Sequence, residues 1–192
     1  LGDVYKRQVV TRNSAAEGVV LLENKGALPF ASNIRNVALF GVASYDAIAG
    51  GTGSGNVNRA YTVSLVEGMR NNGYTVDDNL ISFYSRYIKE AKAEIAKTPH
   101  EWWQTLPLPK EVTPSAELGK AVAANDIAVI TLERLSGEGA DRTATDFNLS
   151  QEEKNLINSV TAAFHKVGKK AIVVLNVGGV IESASVSYTH LR

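Results

Sequence analysis

The 192-residue chain is predicted to be an α/β domain: a mostly parallel sheet with helices on both faces, in a flavodoxin-like sandwich. Three observations predict it. The strand candidates are unbroken Val/Ile/Leu runs rather than alternating ones, the signature of strands covered on both sides. Amphipathic helical stretches lie between them, giving a β-α-β rhythm. At 44% hydrophobic and 21% charged residues, the composition is that of an ordinary globular domain.

The elements follow in order. "NVALFG" (36–41) is the first strand, centred on 37–40. "YTVSLVEGMRNNG" (61–73) puts Val63, Val66 and Met69 on one helical face, and Gly73 suits the stop. "YTVDD" (74–78) is a short second strand over 74–77. "LISFYSRYIKEAKAEIAK" (80–97) carries an apolar stripe over a long helix, and "AELGKAVAAN" (116–125) is a shorter helix. "DIAVITL" (126–132) is the third strand, expected over 127–131. "SQEEKNLINSVTAAFHKVG" (150–168) is a helix that opens on a Ser150/Glu153 capping box and closes at Gly168. "KAIVVLNVG" (170–178) is the fourth strand, expected over 171–175.

Between the long helix and the next lies "TPHEWWQTLPLPKEVTP" (98–114), a loop or excursion that holds four of the five prolines and both tryptophans. Trp102 and Trp103, with His100, offer faces on which a sugar ring stacks, but adjacent tryptophans more often pin a loop to the body. His165 reads as a surface residue of its helix.

Composition bounds the function. Twenty basic and twenty acidic residues leave no net charge, and so no electrostatic reason to bind nucleic acid or an anionic membrane. No apolar run approaches the roughly 20 residues of a membrane span. No cysteine is present, which removes disulfides and thiol chemistry, and no His/Asp/Glu cluster has metal-ligand spacing. No metal or cofactor is expected. The compartment is not fixed by the sequence.

In a parallel sheet, ligands meet the carboxyl ends of the strands. The polar loops expected there are "GVASYDAIAGGTGSGNVN", "ERLSGEGADRTATDFN" and "NVGG". The first lacks the Gly-Lys-Ser/Thr of a phosphate loop, and its glycines do not space as G-x-G-x-x-G. A glycine-rich surface turn is the plain alternative. In the second, Gly137 and Gly139 flank Glu138, which frees the backbone to bend and the carboxylate to project. Such a carboxylate suits general acid or base work, and a solvated turn glutamate is the alternative.

Taken together, "RNSAAEGVVLLENKGALPF" (12–30), "VALFG" (37–41), "GGTGSGNVN" (50–58), "SGEGADR" (136–142), "FNLSQEEKNLI" (147–157) and "AIVVLNVGGVIE" (171–182) resemble the second domain of family 3 glycoside hydrolases, the β-glucosidase and β-xylosidase group. The resemblance covers roughly residues 10 to 185. It implies a retaining, exo-acting β-glycosidase whose nucleophilic aspartate lies on a barrel domain outside this chain, with the site between barrel and sandwich. Its partners would be a carbohydrate substrate and that barrel, with no nucleic acid and no membrane.

Carried over by residue, Ser54 matches the sugar-binding serine of the "GTGSG" loop, with Thr52 and Gly53 beside it. Glu138 matches the acid/base glutamate of a bacterial subgroup. Asp141 and Arg142 match a pair read as shaping the loop. Asn56 stands where the resemblance leads one to expect aspartate. The ends, "LGDVYKRQ" (1–8) and residues 186–192, resemble translated adapter sequence, so residues 9–185 are expected to be the natural domain and a piece of something longer. The rival reading is a free-standing flavodoxin-like module that binds a small ligand or a partner without catalysis.

Overall fold

A computed structural model describes residues 2–55, 57–100, 106–136 and 142–183. Four strands form one sheet: β1 (Asn36–Phe40), β2 (Thr75–Val76), β3 (Ile127–Arg134) and β4 (Lys170–Val177). The order is β2-β1-β3-β4, and every neighbouring pair is parallel. The expected parallel sheet is therefore present. β3 runs three residues further than its apolar core suggested, through Arg134, and β4 begins one residue earlier, at Lys170, and ends two further, at Val177. β2 is shorter than expected, because the Asp77 side chain accepts from the Asn79 and Leu80 amides and starts the next helix instead.

Six helices accompany the sheet: α1 (Gly2–Glu17), α2 (Leu65–Asn71), α3 (Asp78–Ile95), α4 (Ser115–Ala124), α5 (Ala144–Phe147) and α6 (Gln151–His165). α1 and α5 have no counterpart in the sequence reading. The apolar periodicity of α1 is poor and its described side chains are exposed, so no stripe announces it. α2 starts four residues later than its apolar pattern, at a Ser64/Glu67 capping box. The second capping box forms as read: the Ser150 hydroxyl accepts from the Glu153 amide, and the Glu153 carboxylate accepts from the Ser150 amide. Each such cap is worth about 1 kcal/mol. Gly73 and Gly168 have φ of 85° and 74° just past the helix ends, the left-handed stop that glycine allows.

The two faces of the sheet are covered unequally. Ala38, Phe40, Ala128, Ile130 and Leu132 pack against Leu80, Tyr84 and Ile88 of α3, Ala121 of α4, and Leu156, Ile157, Val160 and Phe164 of α6. The other face, Val37, Leu39, Ile127 and Val129, meets only α2 through Val66, Leu65 and Met69, with Phe30, Ile34 and the flank of α3. Complete burial of each large side chain contributes about 1.5–3 kcal/mol. Among the described residues, no helix is long and apolar enough to cross a membrane.

Candidate functional site

All four strands point the same way, so the segments that follow them gather along one edge. After β1 the chain turns at Gly41, whose φ is 89°. A Cβ there would strike the backbone carbonyl of Thr131, so the turn needs glycine. A 3-10 turn over Val42–Ser44 follows. Ser44 Oγ lies 2.8 Å from both the Phe40 carbonyl oxygen and Thr131 Oγ1, which ties this turn to β3.

The glycine-rich stretch comes next. Gly53–Gly55 form a second 3-10 turn, so Gly53 and Ser54 sit together in one tight bend, both exposed. A Cβ on Gly50 would come within 2.8 Å of the Gly55 carbonyl oxygen and 2.6 Å of Arg59 Nη1. The loop thus closes on itself at Gly50.

The proline-rich segment is tied down over 106–114. Glu111 is buried, and the Val42 amide donates to both its carboxylate oxygens, at 3.1 and 3.0 Å. Tyr84 Oη accepts from the Gly41 amide at 3.0 Å and donates to the Val112 carbonyl at 3.1 Å. Tyr87 Oη donates to the Lys110 carbonyl at 2.7 Å. His100 is exposed, with Nδ1 2.7 Å from the Thr98 carbonyl oxygen. His165 is half-buried at the end of α6, not a fully exposed residue.

The end of β3 carries the densest charge. Arg134 is buried and faces α6, where its guanidinium forks onto both oxygens of buried Glu153, with Nη2 to Oε2 at 2.8 Å. The hydrogen bonds that Arg134 donates to the Glu153 carboxylate raise the Arg134 pKa above its ordinary value. Glu133, one residue earlier, points to the other face. It is also buried, and neither carboxylate oxygen has a hydrogen-bond partner among the described residues. Loss of water pushes Glu133 up to about 7, with the Asp46 charge adding to the rise. Burial likewise pushes Glu111 up to about 8, against the opposing effect of the Val42 amide.

These segments line an open cleft of about 740 Å³ at the carboxyl edge. Thr52 of the glycine-rich loop, Glu111 of the proline-rich segment, Glu133 and Ser136 at the end of β3, and Arg142 beyond it share its walls. Of the residues singled out in the sequence, Thr52 and Arg142 thus meet in one cleft, while Gly53 and Ser54 lie in the adjoining turn. Glu138 and Asp141, with Asn56, Trp102 and Trp103, lie outside the described residues. Glu111, Glu133, Arg134, Asp146 and Glu153 were not read as site residues. Glu153 was visible only as a capping residue, and no local pattern marks the others. Among the described residues, no group of three or more His/Asp/Glu is placed to hold a metal ion.

Residues 19–190 match the model of the glycosyl hydrolase family 3 C-terminal domain. β-Glucosidase A of Butyrivibrio fibrisolvens is 32% identical over 88% of this chain and 22% of its own length. A β-glucosidase of Ruminococcus albus is 30% identical over 87% of this chain and 17% of its own length. The structure of β-glucosidase 3B from Thermotoga neapolitana in complex with α-D-glucose superposes with a TM-score of 0.85 at 40% identity, covering 98% of this chain and 26% of that one. The chain thus spans about a quarter or less of the length of these relatives.

Proposed function

Because the chain belongs to the C-terminal domain family of the family 3 glycosyl hydrolases, we propose that it is the sandwich part of a retaining β-glucosidase-type enzyme. It contributes the sugar-binding loop and the acid/base glutamate. The observation that carries this reading is the shared cleft. Thr52, from the loop after β1, and Ser136 and Arg142, which flank the Glu138 segment after β3, line the same 740 Å³ space. Described neighbours of the two sequence candidates thus line one space, which supports the reading that both loops serve one site.

The chemistry is that of two carboxyl groups about 5–5.5 Å apart. In this reading one attacks the anomeric carbon and comes from a domain outside this chain. The other, Glu138, protonates the leaving oxygen and then activates water. Ser54, with Thr52 and Gly53, hydrogen-bonds a glucose-like ring, and Asp141 and Arg142 shape the loop. The acid must hold its proton until substrate is bound, and a closed, dry site achieves this by raising its pKa. No metal or cofactor enters.

The test uses the longer enzyme with its complementing domain. Glu138→Ala is expected to slow hydrolysis by about 10²–10⁴-fold for poor leaving groups and least for good ones, with partial rescue by azide. Ser54→Ala is expected to weaken sugar binding by about 0.5–1.5 kcal/mol. Equal slowing of good and poor leaving groups in Glu138→Ala would remove Glu138 from the acid role.

A further inference from the structure

Arg134 and Arg142 bracket residues 135–141, the segment that carries Glu138. Both arginines converge on one residue of α5. Arg134 Nε donates to the Asp146 carbonyl oxygen at 2.8 Å and lies 3.3 Å from Asp146 Oδ1. Arg142 Nε donates to Asp146 Oδ2, and Arg142 Nη2 donates to the same carbonyl oxygen at 3.0 Å. One carboxylate and one carbonyl therefore join the two ends of the segment.

The strand-end "VGGV" supplies a second tie. The Ser136 hydroxyl donates to the Gly178 carbonyl, and Arg142 Nη1 donates to the Val180 carbonyl at 2.7 Å. Two glycines make this approach possible. A Cβ on Gly178 would lie 2.5 Å from Ser136 Oγ, and one on Gly179 would lie 3.0 Å from Arg142 Nη1. The lack of a side chain at Gly178 and Gly179 leaves room for the Ser136 hydroxyl and the Arg142 guanidinium at this approach.

We propose that Asp146 is a positioning residue that clasps Arg134 to Arg142 and so sets the spacing between the two ends of the Glu138-bearing segment. Gly178 and Gly179 act with it by letting the chain after β4 press on the same ends. Arg134 is fixed from behind by Glu153 on α6, so the reference point of the clasp is the buried sheet. Arg142 carries the far end of the segment and is held only through Asp146 and the Val180 carbonyl among the described contacts. Asp146 touches no reacting atom in this scheme. It acts through the arginines, and the proposal rests on the reading of Glu138 as the acid.

The test is amide hydrogen exchange on the 192-residue chain, resolved by residue. Asp146→Ala is expected to speed exchange at the Gly178 and Glu182 amides, which donate to the Arg134 and Phe147 carbonyls beside these ends, by about tenfold or more, because the ends then open locally. Exchange at Val129, Ile130 and Val160 is expected to stay as in the parent. Asp146→Asn keeps the backbone carbonyl and one side-chain acceptor but loses the charge, so it is expected to fall between. Gly178→Ala perturbs the same ends from the other side and is expected to speed exchange at Glu182 without changing the β3 core. Unchanged exchange at Gly178 and Glu182 in Asp146→Ala overturns the clasp. So does equal acceleration in β3, or global unfolding of both Asp146 variants, either of which would make the residue a general support of the fold. These outcomes are separate from the acid assignment. Loose ends in Asp146→Ala beside full hydrolysis in a Glu138→Ala enzyme would keep the clasp and remove the acid.

Discussion

β3 and β4 are both eight residues long, pair in register from Ile127↔Lys170 to Arg134↔Val177, and are about equally apolar in sequence. Yet β3 is buried at every position, and β4 at Ala171 alone. β3 is flanked by β1 and β4 and roofed on both faces. Among the described residues, β4 has a strand partner on one side only, and no helix lies over the face that carries Ile172 and Val174. α2, the helix on that face, comes closest to β2 and to the turn after β1. Apolar content alone therefore does not report burial. The same run of valines and leucines is core in one strand and half-open surface in the next, because burial is set by what packs on each face.

The sharpest way to break the comparison is a pair of truncations across one rung. Leu132 and Leu175 are register partners, the first fully buried and the second half-buried. Leu132→Ala is expected to cost about 2–5 kcal/mol, as deep core truncations do. Leu175→Ala is expected to cost clearly less, since water can fill part of the gap. Urea unfolding of both variants measures this, and equal losses would mean that β4 is as well packed as β3.

A smaller effect sharpens the next rung, where Glu133 of β3 faces Asn176 of β4. Asn176 has found a partner, its amide donating to the Ile48 carbonyl at 3.2 Å. Glu133 has not, among the described residues. Its folded pKa of about 7 and that of Glu111, about 8, both lie above the ordinary value of 4.5. Between those values the native chain holds more protons than the unfolded one, so stability falls as pH rises. The loss is expected to begin above about pH 4.5 and to level off near pH 8. Glu133→Gln removes its share and flattens the slope up to about pH 7, whereas Asn176→Gln leaves the slope as it was. Thermal melts from pH 4 to 9 read both; a slope unchanged in Glu133→Gln would contradict the buried, unpartnered carboxyl.

The smallest expected effect is at the open face. Val174 is 37% exposed. Val174→Lys is expected to change stability by only about 0.5 kcal/mol or less. It should also lower the tendency of the β4 edge to pair with other chains, as edge lysines do. A loss as large as that of a core residue, read in the same urea titration, would show that β4 is covered after all.

Much of what near neighbours set was legible in the sequence, though the Ser64/Glu67 capping box and the Asp77 cap were missed. The parallel α/β class, the four strand cores, both helix-ending glycines and the Ser150/Glu153 capping box follow from periodicity and from contacts within one or two turns. The glycine-rich loop and "SGEGADR" were legible as carboxyl-edge loops for the same reason: in a parallel sheet, chain order alone puts them on one side. The linkages that hold those loops join residues that no local window contains. Glu111 meets Val42 across 69 positions, and Arg134 meets Asp146 across 12 and Glu153 across 19. Each of these side chains is ordinary in its own neighbourhood and acquires its burial, pKa or clasp only when the chain closes. The open face of β4 was likewise beyond the sequence, because a strand's own residues state that it wants cover and only the packed structure decides whether a helix supplies it.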